Sequence, residues 1–165
     1  MDKTYSEIRF IKLPRLKVAK YTAISPNPEN DAHEYMENWG KESGLADLKD
    51  YKSRIFGCDA ELSKIDTETN PDFRGYSLYV TIPEDFTPQN NRAEILYIEA
   101  DEYATLRITD PFSDPFGKIP PGWQKLFDYV LNSEYKPENR ENRYCFEEII
   151  EMDGTTYMDV YAPIK

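Results

Sequence analysis

Apolar and polar positions alternate along this chain in short runs bounded by proline, glycine and acidic clusters, and two stretches of helical spacing interrupt them. Residues 7–13 and 16–24, separated by Pro14-Arg15, read as a first hairpin. A helix follows, with Asn27 as cap and Pro28 at its first position. Ala32, Tyr35, Met36 and Trp39 recur on one face before Gly40 and Gly44 close it. Strands are expected over residues 54–59 and 76–82, the second ended by Pro83. The order then returns: a hairpin of residues 95–99 and 103–108 turning at Asp101-Glu102, a helix, and strands over 143–150 and 157–163. Pro120-Pro121 open this second helix, and Trp123, Leu126, Phe127, Val130 and Leu131 form its apolar stripe. The pattern predicts an α+β fold, a single domain over residues 1–165 built of two duplicated strand-helix-strand-strand half-modules (about 5–86 and 93–165). They would share an antiparallel sheet about a pseudo-two-fold axis, with a central ligand cleft at the seam.

The last two strands carry the feature most suggestive of chemistry. Asp153-Gly154 between β-like runs is a strong hairpin signal. If these two residues form the turn, Met152 pairs with Thr155, and counting back sets Glu147 opposite Val160 and Glu148 opposite Asp159. Opposed residues share a face. Glu147 then lies with Cys145, Ile149, Met158, Val160 and Ala162, whereas Glu148 lies with Phe146, Tyr157, Asp159 and Tyr161 on a wetter, aromatic face. A carboxylate among apolar side chains favours a cation, a donor or a proton, which makes Glu147 the candidate anchor or general acid-base. A register shifted by one residue would put Glu148 there instead, and an edge-strand salt bridge would remove the functional reading.

Composition narrows the classes. With 165 residues, 39% of them hydrophobic and 14% aromatic, the chain can bury a core, and its formal charge of −11 provides no basic field for phosphates. Direct nucleic-acid binding is therefore not expected. No apolar run is long enough for a signal peptide or a bilayer span, so the expectation is a cytoplasmic protein without membrane contact. Cys58 and Cys145 are far apart and read as reduced, strand-buried thiols. The sole histidine, His33, falls on the first helix. Residues 66–72 alternate oxygen donors, but Pro71 stands where a calcium loop needs glycine and Ser77 where it needs a glutamate. No metal and no cofactor is expected. The 13 Tyr, 8 Phe and 2 Trp suit planar or cationic organic ligands. Trp123 is the candidate pocket wall, with Tyr103, Tyr157 and Tyr161 behind it; Leu126, Phe127 and Val130 read as core.

Six segments in order carry a resemblance: residues 54–59, 79–86, Tyr103-Ala104, 122–127, 146–149 and 159–164. Together they resemble the GyrI-like small-molecule-binding family, related to the effector-binding domains of multidrug-responsive transcription activators, from about Leu16 to the C-terminus. The resemblance implies a duplicated, SHS2-like fold with a ligand cleft between its halves and a glutamate at the floor, matched here by Glu147. It also implies lipophilic cationic ligands and aromatic walls matching Tyr103 and Trp123. Some stand-alone members hydrolyse cyclopropane-bearing toxins with a glutamate and a tyrosine. Many relatives carry an acid after the tyrosine of the first closing strand, where this chain has Ser77.

The leading expectation is a stand-alone binder of aromatic or amphipathic small molecules, cationic ones included, with Glu147 as anchor and Trp123, Tyr103 and Tyr161 as walls. A hydrolase using Glu147 and Tyr103 as its catalytic pair is the alternative. A third reading is a protein-interaction regulator of the gyrase-inhibitor type, with no protein partner indicated by the residues.

Overall fold

In the computed structural model, which describes residues 3–62, 68–90, 92–135 and 145–164, neither of the two early hairpins forms. Strand β1 (Arg9–Leu13) pairs with β6 (Asp101–Thr109), and β2 (Leu16–Ser25) pairs with β5 (Glu94–Ile98). The connections explain why. A two-residue hairpin turn needs positive φ, which Pro14, locked at negative φ, cannot adopt, and Asp101 and Glu102, the expected turn of the second hairpin, are instead paired within β6 with Leu13 and Lys12.

The chain therefore forms two compact units, residues 15–99 and residues 1–14 with 100–165. The first is a four-stranded antiparallel sheet in the order β3 (Ile55–Ala60), β4 (Arg74–Thr81), β2, β5. Helix α1 (Pro28–Ser43) covers one face, burying Ala32, Met36 and Trp39 against Ala19, Ala23, Leu78 and Val80. Pro28 starts it without a side-chain hydrogen bond from Asn27, and Gly44 ends it at φ 94°, a conformation glycine adopts without strain. Gly40 lies inside the helix rather than at its end.

The second unit has the order β1, β6, β8 (Thr155–Pro163), β7 (Phe146–Met152), also antiparallel throughout. Helix α2 (Pro115–Leu131) lays Leu126 and Val130 on Ala104, Leu106, Ile108, Met158, Val160 and Ala162. It begins five residues before the expected Pro120-Pro121. Asp114 caps it by accepting the Gly117 amide at 3.2 Å, and Pro115 takes the first position, so the start signal lay in the loop upstream. Pro120 and Pro121 sit inside the helix, where they withhold the ladder donors for the Phe116 and Gly117 carbonyls. Phe116 is 90% exposed, so water can serve that turn.

Each unit thus uses one helix, and its strand-helix-strand-strand run has the neighbour order second strand, third strand, first strand, completed by β5 in one case and β1 in the other. The closing hairpin matches the expected register: Met152 pairs with Thr155, Glu147 with Val160 and Glu148 with Asp159, around Asp153 and Gly154 at φ 52° and 79°. Arg143 and Tyr144 of the expected strand, and Asp66 and Thr67 of the acidic loop, lie outside the described residues.

Burial on α1 pushes the His33 imidazole below its ordinary pKa, because the charged form loses hydration. The folded state then binds fewer protons than the unfolded one, so this contribution to stability is present above about pH 6.5 and is lost as pH falls through the folded-state value. His33→Gln should remove this loss of stability on acidification below about pH 6.5, measured by denaturant unfolding at each pH.

Candidate functional site

Helix α2 takes the apolar face of the second unit's sheet, and the strand period assigns what remains to the opposite face. Phe146 and Glu148 come from β7, Tyr157, Asp159 and Tyr161 from β8, and Tyr103, Thr105 and Arg107 from β6. The registers stack them in rows. Phe146, Tyr161, Thr105 and Arg9 stand abreast in one, and Glu148, Asp159 and Arg107 in the next.

The face is aromatic and polar yet almost fully buried: Glu148 is 3% exposed, Asp159, Tyr103 and Tyr161 are each 2%, and Phe146 is 1%. Tyr161 donates a hydrogen bond of 2.6 Å to the Glu148 carboxylate, diagonally across the strand pair. Its ring meets the edge of Tyr103 with centroids 6.0 Å apart at 85°, and Tyr103 in turn lies 6.2 Å from Phe146. The ring contacts hold the donor's ring on the face that also carries the carboxylate.

Beside this pair, Arg107 grips Asp159 through Nε at 2.7 Å and Nη2 at 3.0 Å, the bidentate geometry that suits guanidinium and carboxylate. The hydrogen bond to Asp159 raises the Arg107 pKa, burial opposes it, and the charge of Asp159, then Tyr161 and Glu148, adds to the rise. Arg9, half exposed, reaches Asp159 only at 4.0 Å. The Arg107 guanidinium also lies 5.4 Å from the centre of the Tyr157 ring.

Thr105 is wholly buried, and its hydroxyl has no hydrogen-bond partner. Burying an unpaired hydroxyl is unfavourable, so Thr105→Val, nearly the same shape on a strand, should stabilise the protein by about 1 kcal/mol, measured by urea unfolding.

The residues expected to act together are divided by the sheet. Tyr103 and Tyr161 meet. Glu147 shares the helix-side face with Ile149, Met158 and Val160, as the hairpin count required, and it is only partly buried. Trp123, on α2, stacks on Phe127 at 5.7 Å and packs into the same helix-side core. Neither joins the tyrosines, because the apolar face that nominated Glu147 is the one an amphipathic helix must cover. Asp159, Arg107, Thr105 and Phe146 had no site role in the sequence reading, and Glu148 entered it only as the residue a shifted register would turn inward. A signal existed: α2's stripe already claimed one apolar face, so the face rich in tyrosines and acids had to be the one the helix leaves uncovered.

Elsewhere, Cys58 is buried on β3 and Cys145 precedes β7 with its thiol pKa pushed up by burial, an unreactive setting. Among the described residues no group of three or more His, Cys, Asp and Glu is placed to hold a metal ion. No described helix is long and apolar enough to cross a membrane.

The model of the GyrI-like small molecule binding domain matches residues 6–165, nearly the whole chain. This chain belongs to the GyrI-like family. No curated protein matches it significantly in sequence. Solved structures match it in fold: the C-terminal domain of EcmrR superposes with a TM-score of 0.67 at 13% identity, covering 96% of this chain and 97% of that one. In the EcmrR–DNA complex the match spans 98% of this chain but only 58% of EcmrR. SAV2435, solved bound to tetraphenylphosphonium, gives 0.54 at 14% identity, with 97% and 94% covered. A hydrolase from Listeria innocua gives 0.58 at 8% identity, with 96% and 92% covered. At such identities the likeness speaks to the fold.

Proposed function

We propose that this GyrI-like chain binds aromatic or amphipathic small molecules, lipophilic monocations above all, on the face of the second unit's sheet opposite α2. Glu148 is the anchor, Tyr161 orients it, and Tyr103 and Phe146 supply aromatic walls. The observation that carries this is a buried carboxylate, held by a tyrosine hydroxyl at 2.6 Å on a sheet face shared with Tyr103 and Phe146. A cation that sheds water to enter gains both the charge contact and π contact there. The tetraphenylphosphonium bound in the SAV2435 structure is a cation of this type.

The binding face also supports the reading of the fold as a duplicated strand-helix-strand-strand module. By strand order and register, Phe56 and Tyr79 of the first unit answer Phe146 and Tyr161, and Cys58 and Ser77 answer Glu148 and Asp159. Only one half carries the acids, so only one anchors a charge. A thermal-shift panel of tetraphenylphosphonium, neutral triphenylphosphine oxide and anionic tetraphenylborate tests the reading. The cation should raise the melting temperature in proportion to the logarithm of its concentration, and no shift with any compound would contradict the proposal.

The same hydrogen bond favours a second reading, hydrolysis of a strained electrophile. Glu148 would take a proton from the attacking water and Tyr161 would protonate the leaving atom as the strained bond opens, with no cofactor needed. Mass spectrometry of a cyclopropane-bearing compound should then show addition of one water; unchanged compound after incubation counts against this reading.

A further inference from the structure

Thr105 stands on the proposed binding face with its polar group unused: the residue is 0% exposed, and its hydroxyl has no hydrogen-bond partner among the described residues. The strand period sets it between Tyr103 and Arg107 on β6, and the registers set it abreast of Tyr161 on β8 and Arg9 on β1. A threonine is far shorter than a tyrosine or an arginine, so this hydroxyl lies low among taller side chains. Two of those neighbours direct their polar ends elsewhere. Tyr161 donates to Glu148, and Arg107 holds Asp159 in a two-point clamp.

Arg9 lies beside it. This side chain starts on β1 directly opposite Thr105, and its guanidinium comes to 4.0 Å from Asp159 on β8, so it crosses β6. It is 55% exposed, and a contact of that length and exposure holds weakly. A ligand can turn this arm aside to reach the hydroxyl without disturbing the helix-side core.

Most buried hydroxyls are paired, and an unpaired one lowers stability. Valine has nearly the same shape and would avoid that loss, so the hydroxyl is explained by a partner the folded chain does not supply. We propose that Thr105 is a specificity-determining residue of this site: its hydroxyl hydrogen-bonds a hydroxyl or carbonyl oxygen carried beside the ligand's aromatic part. The site then favours oxygen-bearing amphipathic compounds over hydrocarbon analogues of the same size and charge, because the analogue leaves the buried hydroxyl unpaired. The inference rests on the binding reading above. It concerns hydrogen bonding and not charge, which the two kinds of ligand share.

The test uses a matched pair of monocations, (3-hydroxypropyl)triphenylphosphonium and butyltriphenylphosphonium, which differ by a hydroxyl in place of a methyl group. Isothermal titration of both into wild type, Thr105→Val and Thr105→Ser gives the ratio of the two affinities in each protein. In Thr105→Val the ratio should shift about fivefold toward the butyl compound. Thr105→Ser keeps the hydroxyl and should keep the wild-type ratio. A residue that only packs would alter both affinities alike.

An unmoved ratio in Thr105→Val, or a Thr105→Ser ratio equal to that of Thr105→Val when the latter has shifted, overturns the proposal. Should Thr105→Val not fold by circular dichroism, Thr105→Ala carries the same test with the same expected shift, and an unmoved ratio there overturns it. Wild type binding neither compound defeats the binding reading and this inference with it. Wild type binding both, with a ratio that ignores Thr105, defeats the inference alone.

Discussion

Arg107→Met should lower the stability of the folded protein by about 3 kcal/mol, a fall of roughly 10 °C in melting temperature for a chain of this size. Asp159 is 2% exposed and receives two hydrogen bonds from the guanidinium, so the variant leaves a buried carboxylate without its counter-charge. The effect belongs at the lower end of the range for broken buried pairs, because the Arg107 side chain is itself 29% exposed and Arg9 can approach. Arg107→Lys keeps the charge but loses the fork, and should fall between wild type and Arg107→Met. The double variant with Asp159→Asn should recover most of the loss, since removing both charges also removes the desolvation they impose. Calorimetric or denaturant unfolding of the four proteins checks the ordering. Equal stability of Arg107→Met and wild type would show that the clamp contributes nothing to the fold.

Glu148→Gln should weaken binding of a lipophilic monocation by about 2 kcal/mol, or roughly thirtyfold. Glutamine is nearly the same shape and still offers an oxygen to the Tyr161 hydroxyl, so the aromatic walls and their spacing should persist. What disappears is the charge, in a place where water cannot screen it. A neutral aromatic compound should therefore lose little, and the difference between the two ligands isolates the electrostatic part. Tyr161→Phe removes the donor instead and leaves Glu148 less well oriented, so a smaller loss in affinity is expected, read in the same titration.

Much of this was legible from residues, and the misses have definite causes. Asp153-Gly154 set the final register because a two-residue turn with both residues at positive φ admits one pairing, and the structure has it. Ala32, Met36 and Trp39, like Leu126 and Val130, announced their helices by spacing. The early hairpins failed because sequence adjacency was read as pairing: Pro14 cannot take the positive φ of a two-residue turn, and Asp101-Glu102, expected as the second turn, pairs with Lys12 and Leu13 of β1. The start of α2 was missed because Pro120-Pro121 outshone the Asp114-Pro115 signal.

The site illustrates a limit of pattern alone. Register told which residues share a face, but not which face a helix would occupy. Glu147 looked exceptional as a lone acid in apolar company, whereas Glu148 looked ordinary in polar company. Once α2 covers the apolar side, the ordinary-looking acid is the one buried with Tyr161, Asp159 and the rings. Arg107 and Thr105 gave no local signal, since each gains meaning only from strands more than fifty residues away.

The central claim is that Glu148, and not its neighbour, anchors the ligand. Isothermal titration of tetraphenylphosphonium into wild type, Glu148→Gln and Glu147→Gln tests it most directly. Glu148→Gln should lose roughly thirtyfold in affinity while Glu147→Gln binds within about twofold of wild type. Loss of binding in Glu147→Gln together with wild-type affinity in Glu148→Gln would contradict the account.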